Sequence, residues 1–223
     1  MPGKMIYYQQ LAEAMTRQIA GDPQEWARFL TTAARLYKYP YHEQLLIYAQ
    51  RPDATACAGY DLWNNTMHRY VRRGSKGIAL LSPTAHGVQL RYVFDVADTG
   101  RGRDAQEPFL WSLDAENTPT VTAALAETYG ENAETPLGEQ LHQAAQQVTE
   151  NYFAEHAQEL SDILAEASAT SYDEDALRGL AAESISYMLA SRCGLQPAIP
   201  AFTGLASLAG QPKTIEALGI AVS

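Results

Sequence analysis

The hydrophobic repeat of this chain changes from a helical period to a period of two and then back, so the fold must combine helices with a sheet. One helical stripe consists of apolar side chains spaced three or four positions apart: Trp26, Phe29, Leu30, Ala33 and Tyr37. In residues 88–96 every even position is apolar instead, and from Leu137 the helical period returns. The pattern predicts an α+β fold with N-terminal helices, a small antiparallel sheet and a mainly helical C-terminal region.

Local signals predict where the first helices begin and end. Asp22 is suited to the N-cap, Pro23 to the first helical position and Glu25 to a capping box, and the helix should end before Pro40. A further helix is predicted for 41–50, stopped by Pro52. A shorter helix should precede both, with three apolar residues at a spacing of four: Leu11, Met15 and Ile19.

Three strands are predicted to form the sheet. The alternation in 88–96 places Gln89, Arg91 and Asp95 on the open face. Residues 70–71 and 78–81 are predicted as the neighbouring strands, joined by a glycine-bounded turn at 74–77. The stretch 100–104 is expected to be a mobile loop.

The stretch after residue 104, rich in Asn, Thr and Pro through Pro136, is predicted to be loops with room for a short helix, and the chain after it to be helical. One helix should run from Leu137 toward Leu164, and another should begin near Asp173 and end at Gly194. We therefore expect a domain of helices and a small sheet in 1–104, a linker with loops in 105–136 and an acidic helical region in 137–223.

Charge divides the chain into two unlike halves. Residues 1–104 carry 13 Lys and Arg against 9 Asp and Glu, whereas residues 105–223 carry 3 against 17. A basic part joined to an acidic part suggests that only the first faces nucleic acid, since an acidic surface repels phosphate. The plainer alternative is a solvated basic face without a partner.

Composition favours a globular chain that lies outside the membrane. The hydrophobic content of 46% supports an ordinary core, and no run approaches the roughly 20 apolar residues of a membrane span. No secretory signal is evident, which predicts a cytoplasmic location. Cys57 and Cys193 are too few for a disulfide framework and have no metal-ligand spacing, so both are expected to be buried.

The segment from residue 37 to 99 concentrates aromatic and basic side chains, the combination that holds unpaired nucleic acid. Cations follow the phosphates and flat rings stack on bases, so affinity needs little sequence readout. The predicted phosphate contacts are five basic residues, several of them in or beside the glycine-bounded turn at 74–77: Arg51, Arg69, Arg72, Arg73 and Lys76. The predicted stacking residues are aromatic: Tyr60, Trp63 and Tyr70.

Each of these assignments has a structural alternative. Trp63 and Tyr60 are equally compatible with a core position under the sheet, where most isolated aromatics lie. For Gly74 and Gly77 the structural alternative is that they only shape the turn.

No local signature predicts an enzyme, a metal or a cofactor. The sequence from His42 to Leu46 begins like the zinc-protease motif H-E-x-x-H, but Leu46 replaces the second histidine. The segment at His156 fails in the same way, and the other histidines, His68, His86 and His142, are scattered. Glu183 lies off the centre of its helical stripe, and a single carboxylate there is usually solvated.

Several segments taken together resemble the N-terminal domain of ArdC-type antirestriction proteins. They are Trp26-Ala27-Arg28-Phe29-Leu30, the run from Tyr39 to Ile47, Gln50-Arg51-Pro52 with Ala54-Thr55, Gly59-Tyr60 with Trp63, the run from Val71 to Ile78, and Val93-Phe94-Asp95-Val96. They occur in matching order over roughly residues 8–99.

The resemblance implies single-stranded DNA binding in a protein of plasmids or conjugative elements. Family members often continue into a zinc-peptidase-like domain with a Glu ligand on a helix resembling 182–187, but the H-E-x-x-H helix has no counterpart here. The chain is most similar to the N-terminal region of large helicase- or methylase-like proteins of integrative conjugative elements, and its final residues suit a piece of such a protein.

The expected function is therefore a non-enzymatic module that binds single-stranded DNA with weak sequence preference, for antirestriction or DNA processing. A second expectation is a docking module whose acidic half contacts other domains of a larger helicase or methylase. A zinc-peptidase remnant is the third.

Overall fold

The computed structural model describes residues 2–85, 87–130, 134–166, 174–208 and 210–223. Within these segments the α-helices are α1 Pro2–Gly21, α2 Pro23–Arg35, α3 Tyr41–Gln50, α4 Thr118–Tyr129, α5 Leu137–Glu155, α6 Ala157–Glu166, α7 Glu174–Arg192 and α8 Pro212–Val222. The strands are β1 Cys57–Gly59, β2 Arg69–Val71, β3 Ile78–Thr84, β4 Gly87–Asp95 and β5 Thr99–Arg101. The predicted α+β class, with a small antiparallel sheet and a helical C-terminal region, is confirmed.

The strands form two separate antiparallel pieces. Strands β1, β4 and β3 make a three-stranded sheet in that order, and β2 pairs with β5 in a two-stranded ribbon. Within the sheet Ile78 lies opposite Val93, and within the ribbon Arg69 lies opposite Arg101.

The prediction that 78–81 forms a strand beside 88–96 is confirmed, since β3 pairs with β4, but the prediction that 70–71 belongs to the same sheet was wrong. The backbone of β2 is paired with β5 instead, and the N–H of Arg72 just beyond it donates to the carbonyl of Asp98 at 2.9 Å. The predicted mobile loop at 100–104 was also wrong at its start, because Gly100 and Arg101 belong to β5. The pairing joins residues about thirty positions apart, which no local pattern reveals.

The predicted open face of β4 was wrong at its C-terminal end. Val93 and Asp95 are 0% and 1% exposed, whereas Val88 and Tyr92 are 41% and 43% exposed. Val93 packs in a small apolar cluster between the sheet and the first helices: Leu36, Leu46, Ile47, Ala54, Ile78, Leu80 and Val93. Asp95 is buried beside it because its carboxylate accepts backbone hydrogen bonds at the end of the strand.

The predicted start of α2 is confirmed at its N-cap. The Asp22 carboxylate accepts from the N–H of Gln24 at 2.9 Å, and Pro23 opens the helix. Glu25 does not close a capping box, since its carboxylate is bonded to Gln18 and Arg28. The stripe of α2 is buried as expected, but Tyr37 lies beyond the helix end and is 50% exposed.

The other helix boundaries agree only in part with their local signals. Helix α3 spans the predicted residues, and α1 is longer than expected. The predicted helix from Leu137 breaks near His156 into α5 and α6. Gly194 closes α7 with a φ of +73°, and the N–H of Leu195 donates to Ala190 at 3.0 Å. Asp173 lies outside the described residues.

The main core is built by helices from both ends of the chain. Helix α2 packs against α7, and the Trp26 indole N–H donates to the Ser184 hydroxyl at 2.9 Å. Phe29, Phe153 and Leu218 are buried in the same cluster. Residues from 1–104 and from 137–223 share this core. The division of the chain into those two regions and a 105–136 linker stays a prediction.

The Asp95 carboxylate joins three segments of the chain. It accepts from the backbone N–H groups of Thr55 at 2.7 Å, Ala56 at 3.0 Å and Ala97 at 2.9 Å. These bonds attach the lead-in to β1 to the end of β4 and to the turn that enters β5.

We expect Asp95→Ala to lower the free energy of unfolding by about 3 kcal/mol or more, because several shielded N–H donors lose their acceptor. Asp53→Ala is the matched control, since that side chain is 79% exposed and pairs with Arg51 at 3.4 Å. Its cost should stay below about 1 kcal/mol. Urea unfolding measures both, and equal midpoints for the two variants would show that Asp95 has no such structural role.

Candidate nucleic-acid interface

The β2–β5 ribbon carries the centre of the predicted binding surface. Tyr70 lies opposite Gly100, and its ring covers that glycine so closely that an added Cβ would lie 2.4 Å from a ring carbon. Tyr70 is nevertheless 53% exposed. A half-exposed ring held against the backbone provides a firm surface on which a base can stack.

Arg69 lies at the edge of this ribbon but is itself 6% exposed. Its Nε donates to the Thr99 hydroxyl at 2.8 Å, and its Nη1 lies 2.9 Å from Glu107 Oε1. Arg101, on the opposite strand, places its Nε 2.7 Å from the same carboxylate oxygen. Sequence reasoning selected Arg69 but missed both Arg101 and Glu107.

Three of the predicted phosphate-binding cations lie in the turn after β2 and are exposed to solvent. Gly74 has a φ of +90°, a conformation that favours glycine, and the N–H of Ser75 donates to Arg72 at 3.1 Å. Arg72, Arg73 and Lys76 are all exposed. Arg72 Nη1 donates to the carbonyl of Ala97 at 2.8 Å, which fixes the guanidinium without neutralising it.

Arg51 is held by carboxylates rather than presented to solvent. Its Nη1 donates to both oxygens of Asp98, at 2.7 and 2.8 Å, and its side chain is 26% exposed. The hydrogen bond to Asp98 is the main cause of its raised pKa. The charge of Arg51 is therefore offset in the free protein, and its contact with phosphate stays a prediction.

Trp63 and Tyr60 lie at a π-helical turn, Leu62–Thr66, which packs against β1 and β2. Trp63 is 2% exposed, and its indole N–H donates to the carbonyl of Phe94 at 2.8 Å. The structure therefore makes Trp63 a core residue and removes it from the stacking candidates. Tyr60 is 52% exposed and remains one of them.

An open cavity of about 250 Å³ adjoins the ribbon, lined among others by Asn64, His68 and Arg103. His68 adopts a φ of +50°, which is uncommon for a residue other than glycine. Gly102 approaches it so closely that an added Cβ would lie 2.5 Å from the His68 carbonyl oxygen. Arg101 and Arg103 were both missed because the stretch 100–104 was predicted to be a mobile loop.

The loop after β5 exposes apolar side chains that the sequence patterns did not single out. Phe109 is 89% exposed and Leu110 is 53% exposed. The neighbouring Trp111 lies 5.3 Å from the Arg192 guanidinium, which also stacks 3.8 Å from the centre of the Tyr37 ring.

A larger cavity of about 890 Å³ lies between α1, α3, α8 and the β3–β4 hairpin. Its lining combines the carboxylates of Glu13, Glu43 and Glu216 with the cations Arg17 and Lys213, so it lacks the excess of positive charge that favours a phosphate backbone. Glu43 is engaged in a 2.6 Å contact with Arg91.

The side chains of metal-ligating type do not assemble into a site in the described segments. No group of three His, Cys, Asp or Glu side chains there is placed to hold a metal ion. Burial, together with Asp95, raises the pKa of the Cys57 thiol to about 12, so this cysteine is uncharged near neutral pH. Glu183 is half-buried, and its Oε2 has no hydrogen-bond partner among the described residues, contrary to the expected solvated position. His86 lies outside the described residues.

Comparison with known proteins identifies no relative, since no family model, curated protein or solved structure matches this chain. Among the described helices, none combines the length and the apolar character that a membrane crossing requires.

We expect Trp63→Phe to lower the free energy of unfolding by roughly 1–2 kcal/mol, because the buried indole bond to Phe94 is lost. Binding to a single-stranded oligonucleotide should be unchanged for the folded variant. Tyr60→Phe is the control and should unfold at the wild-type urea concentration, since its hydroxyl is at the surface. Reduced DNA affinity of Trp63→Phe without loss of stability would contradict the core assignment.

Proposed function

We propose that this protein binds single-stranded DNA with weak sequence preference through the β2–β5 ribbon and the turn that follows it. The observation that carries the proposal is a set of exposed cations next to exposed aromatic rings. Arg73, Lys76 and Arg103 are exposed and have no carboxylate partner among the described residues. Tyr70 on the ribbon and Tyr60, just before the π-helical turn that packs against β2, are each about half exposed.

The chemistry of this surface favours an unpaired strand over a duplex. Cations on an irregular turn can follow a flexible phosphate backbone, and ring faces stack on bases of any identity. In a duplex the bases are already stacked on one another, so Tyr60 and Tyr70 would contribute little. Weak sequence preference follows because stacking and phosphate contacts do not distinguish bases by hydrogen bonding.

The acidic half of the chain would confine the strand to the ribbon. Residues 105–223 carry a large excess of carboxylates, which repel phosphate from the helical surface. The similarity to ArdC-type domains supports a role in antirestriction or DNA processing for a mobile element. The alternative of a docking module assigns the acidic surface to a protein partner and predicts no salt-dependent DNA binding.

The triple variant Arg72→Ala, Arg73→Ala, Lys76→Ala tests the electrostatic part of the proposal. If each cation neutralises one phosphate, the slope of log affinity against log salt should fall by about 2, with similar losses for every oligonucleotide sequence. Fluorescence anisotropy across a salt series measures the slope.

The matched control removes the same charge elsewhere: Lys4→Ala, Arg17→Ala, Lys213→Ala. These cations lie on α1 and α8, so this variant should keep the wild-type slope. A folded Arg72/Arg73/Lys76 variant with an unchanged slope would show that the turn is not the binding surface.

Tyr60→Ala tests the stacking part of the proposal. We expect binding to weaken by about tenfold with an unchanged salt slope, because the ring contributes stacking and no charge. Tyr7→Ala is the control, since Tyr7 is 58% exposed on α1, away from the ribbon. Equal effects of the two substitutions, or a changed slope for Tyr60→Ala, would rule out stacking at this position.

A further inference from the structure

The β2–β5 ribbon places two like charges directly opposite each other. Arg69 pairs in register with Arg101, an arrangement that is repulsive unless an anion lies between the side chains. Here one carboxylate oxygen of Glu107 supplies that anion, 2.9 Å from Arg69 and 2.7 Å from Arg101. Two guanidinium groups that converge on one oxygen are arranged as they would be around a phosphate oxygen.

The Arg69 guanidinium is already held in place in the free protein. Its side chain is 7% exposed, and the Thr99 hydroxyl holds its Nε at 2.8 Å. A nearly buried guanidinium needs a negative partner, because an unpaired charge there would be poorly solvated. Glu107, in contrast, is 56% exposed and reaches the arginines from a segment without helix or strand.

The open cavity beside the ribbon gives a ligand access to Arg69. It is lined by Arg69 and Tyr70 together with further donors on Asn64, His68 and Arg103, and Asp104 is its acidic member. Complete small-molecule ligands occupy roughly 300–1,000 Å³. A cavity of about 250 Å³ suits a phosphate group and part of its sugar.

We propose that Arg69 and Arg101 bind one phosphate of a nucleotide at the edge of this cavity, with Arg103 in the cavity lining, and that Glu107 occupies the phosphate position in the free protein. The base attached to that phosphate stacks on the Tyr70 ring. The assignment of a DNA strand as the source of the nucleotide rests on the proposed function. The phosphate site itself rests on the arginines, the cavity and Glu107.

For a phosphate to replace the Glu107 carboxylate, only the Glu107 side chain has to turn away. The backbone at this point is held by the N–H of Gln106, which donates to Met67 at 2.9 Å. A phosphate then takes over both arginine contacts and adds Arg103, which has no carboxylate partner among the described residues. Glu107 therefore weakens binding by competing for the same cations.

The test uses thymidine 5′-monophosphate and Glu107→Gln, with Glu150→Gln as the matched control. Glu150 is 60% exposed and pairs with Arg178 at 3.2 Å, so both substitutions remove one charge from a similar surface ion pair. Backbone amide shifts in an NMR titration report binding at His68, Tyr70 and Arg103. We expect affinity for the nucleotide to rise about threefold in Glu107→Gln and to be unchanged in Glu150→Gln.

Arg103→Ala should reduce nucleotide affinity severalfold while its other amide shifts stay as in the wild type, since this side chain is exposed. The proposal is overturned if Glu107→Gln shows no shifts in the cavity, or if Glu107→Gln and Glu150→Gln bind equally. A wild-type chain that binds the nucleotide there but no oligonucleotide would remove the proposed function and leave the phosphate site standing.

Discussion

The buried carboxylate of Asp95 is the interaction on which the geometry of the N-terminal half depends. It accepts hydrogen bonds from the lead-in to β1 and from the turn into β5, so one side chain connects the three-stranded sheet to the separate ribbon. Asp98, three residues later, holds Arg51 through its carboxylate and the backbone of Arg72 through its carbonyl. Two acidic residues thus set where the basic turn lies.

This arrangement separates cations that support the structure from cations that face solvent. Arg51 and Arg69 are engaged by Asp98 and Glu107, whereas Arg73, Lys76 and Arg103 are exposed. The distinction has an electrostatic consequence, because a cation that already has a carboxylate partner adds little net positive charge with which to attract a phosphate. Composition alone counts all five equally and so overstates the charge that the surface can offer.

Much of the helical structure could be predicted because its signals are local. Asp22, Pro23 and Pro52 mark helix ends by their own conformational preferences. The ribbon could not be predicted, because strands of three residues have no detectable period and their pairing depends on distant residues. The burial of Asp95 was hidden for a related reason, since it depends on partners contributed by other segments, whereas a core position for Trp63 was already an alternative in the sequence. In the proposed binding surface, the glycine-bounded turn was predictable, but the pairing of Arg69 with Glu107 was not.

The loop after β5 is held at two points on either side of Glu107. Gln106 is bonded to the backbone of Met67, and Trp111 lies against the Arg192 guanidinium that also stacks on Tyr37. Side-chain rotations at a protein surface take picoseconds to nanoseconds, far less than loop rearrangements. Replacement of the carboxylate by a phosphate would therefore not limit the rate of association, which would be set by diffusion and electrostatic attraction. The kinetic signature would be an association rate that depends strongly on salt and shows no slow conformational phase.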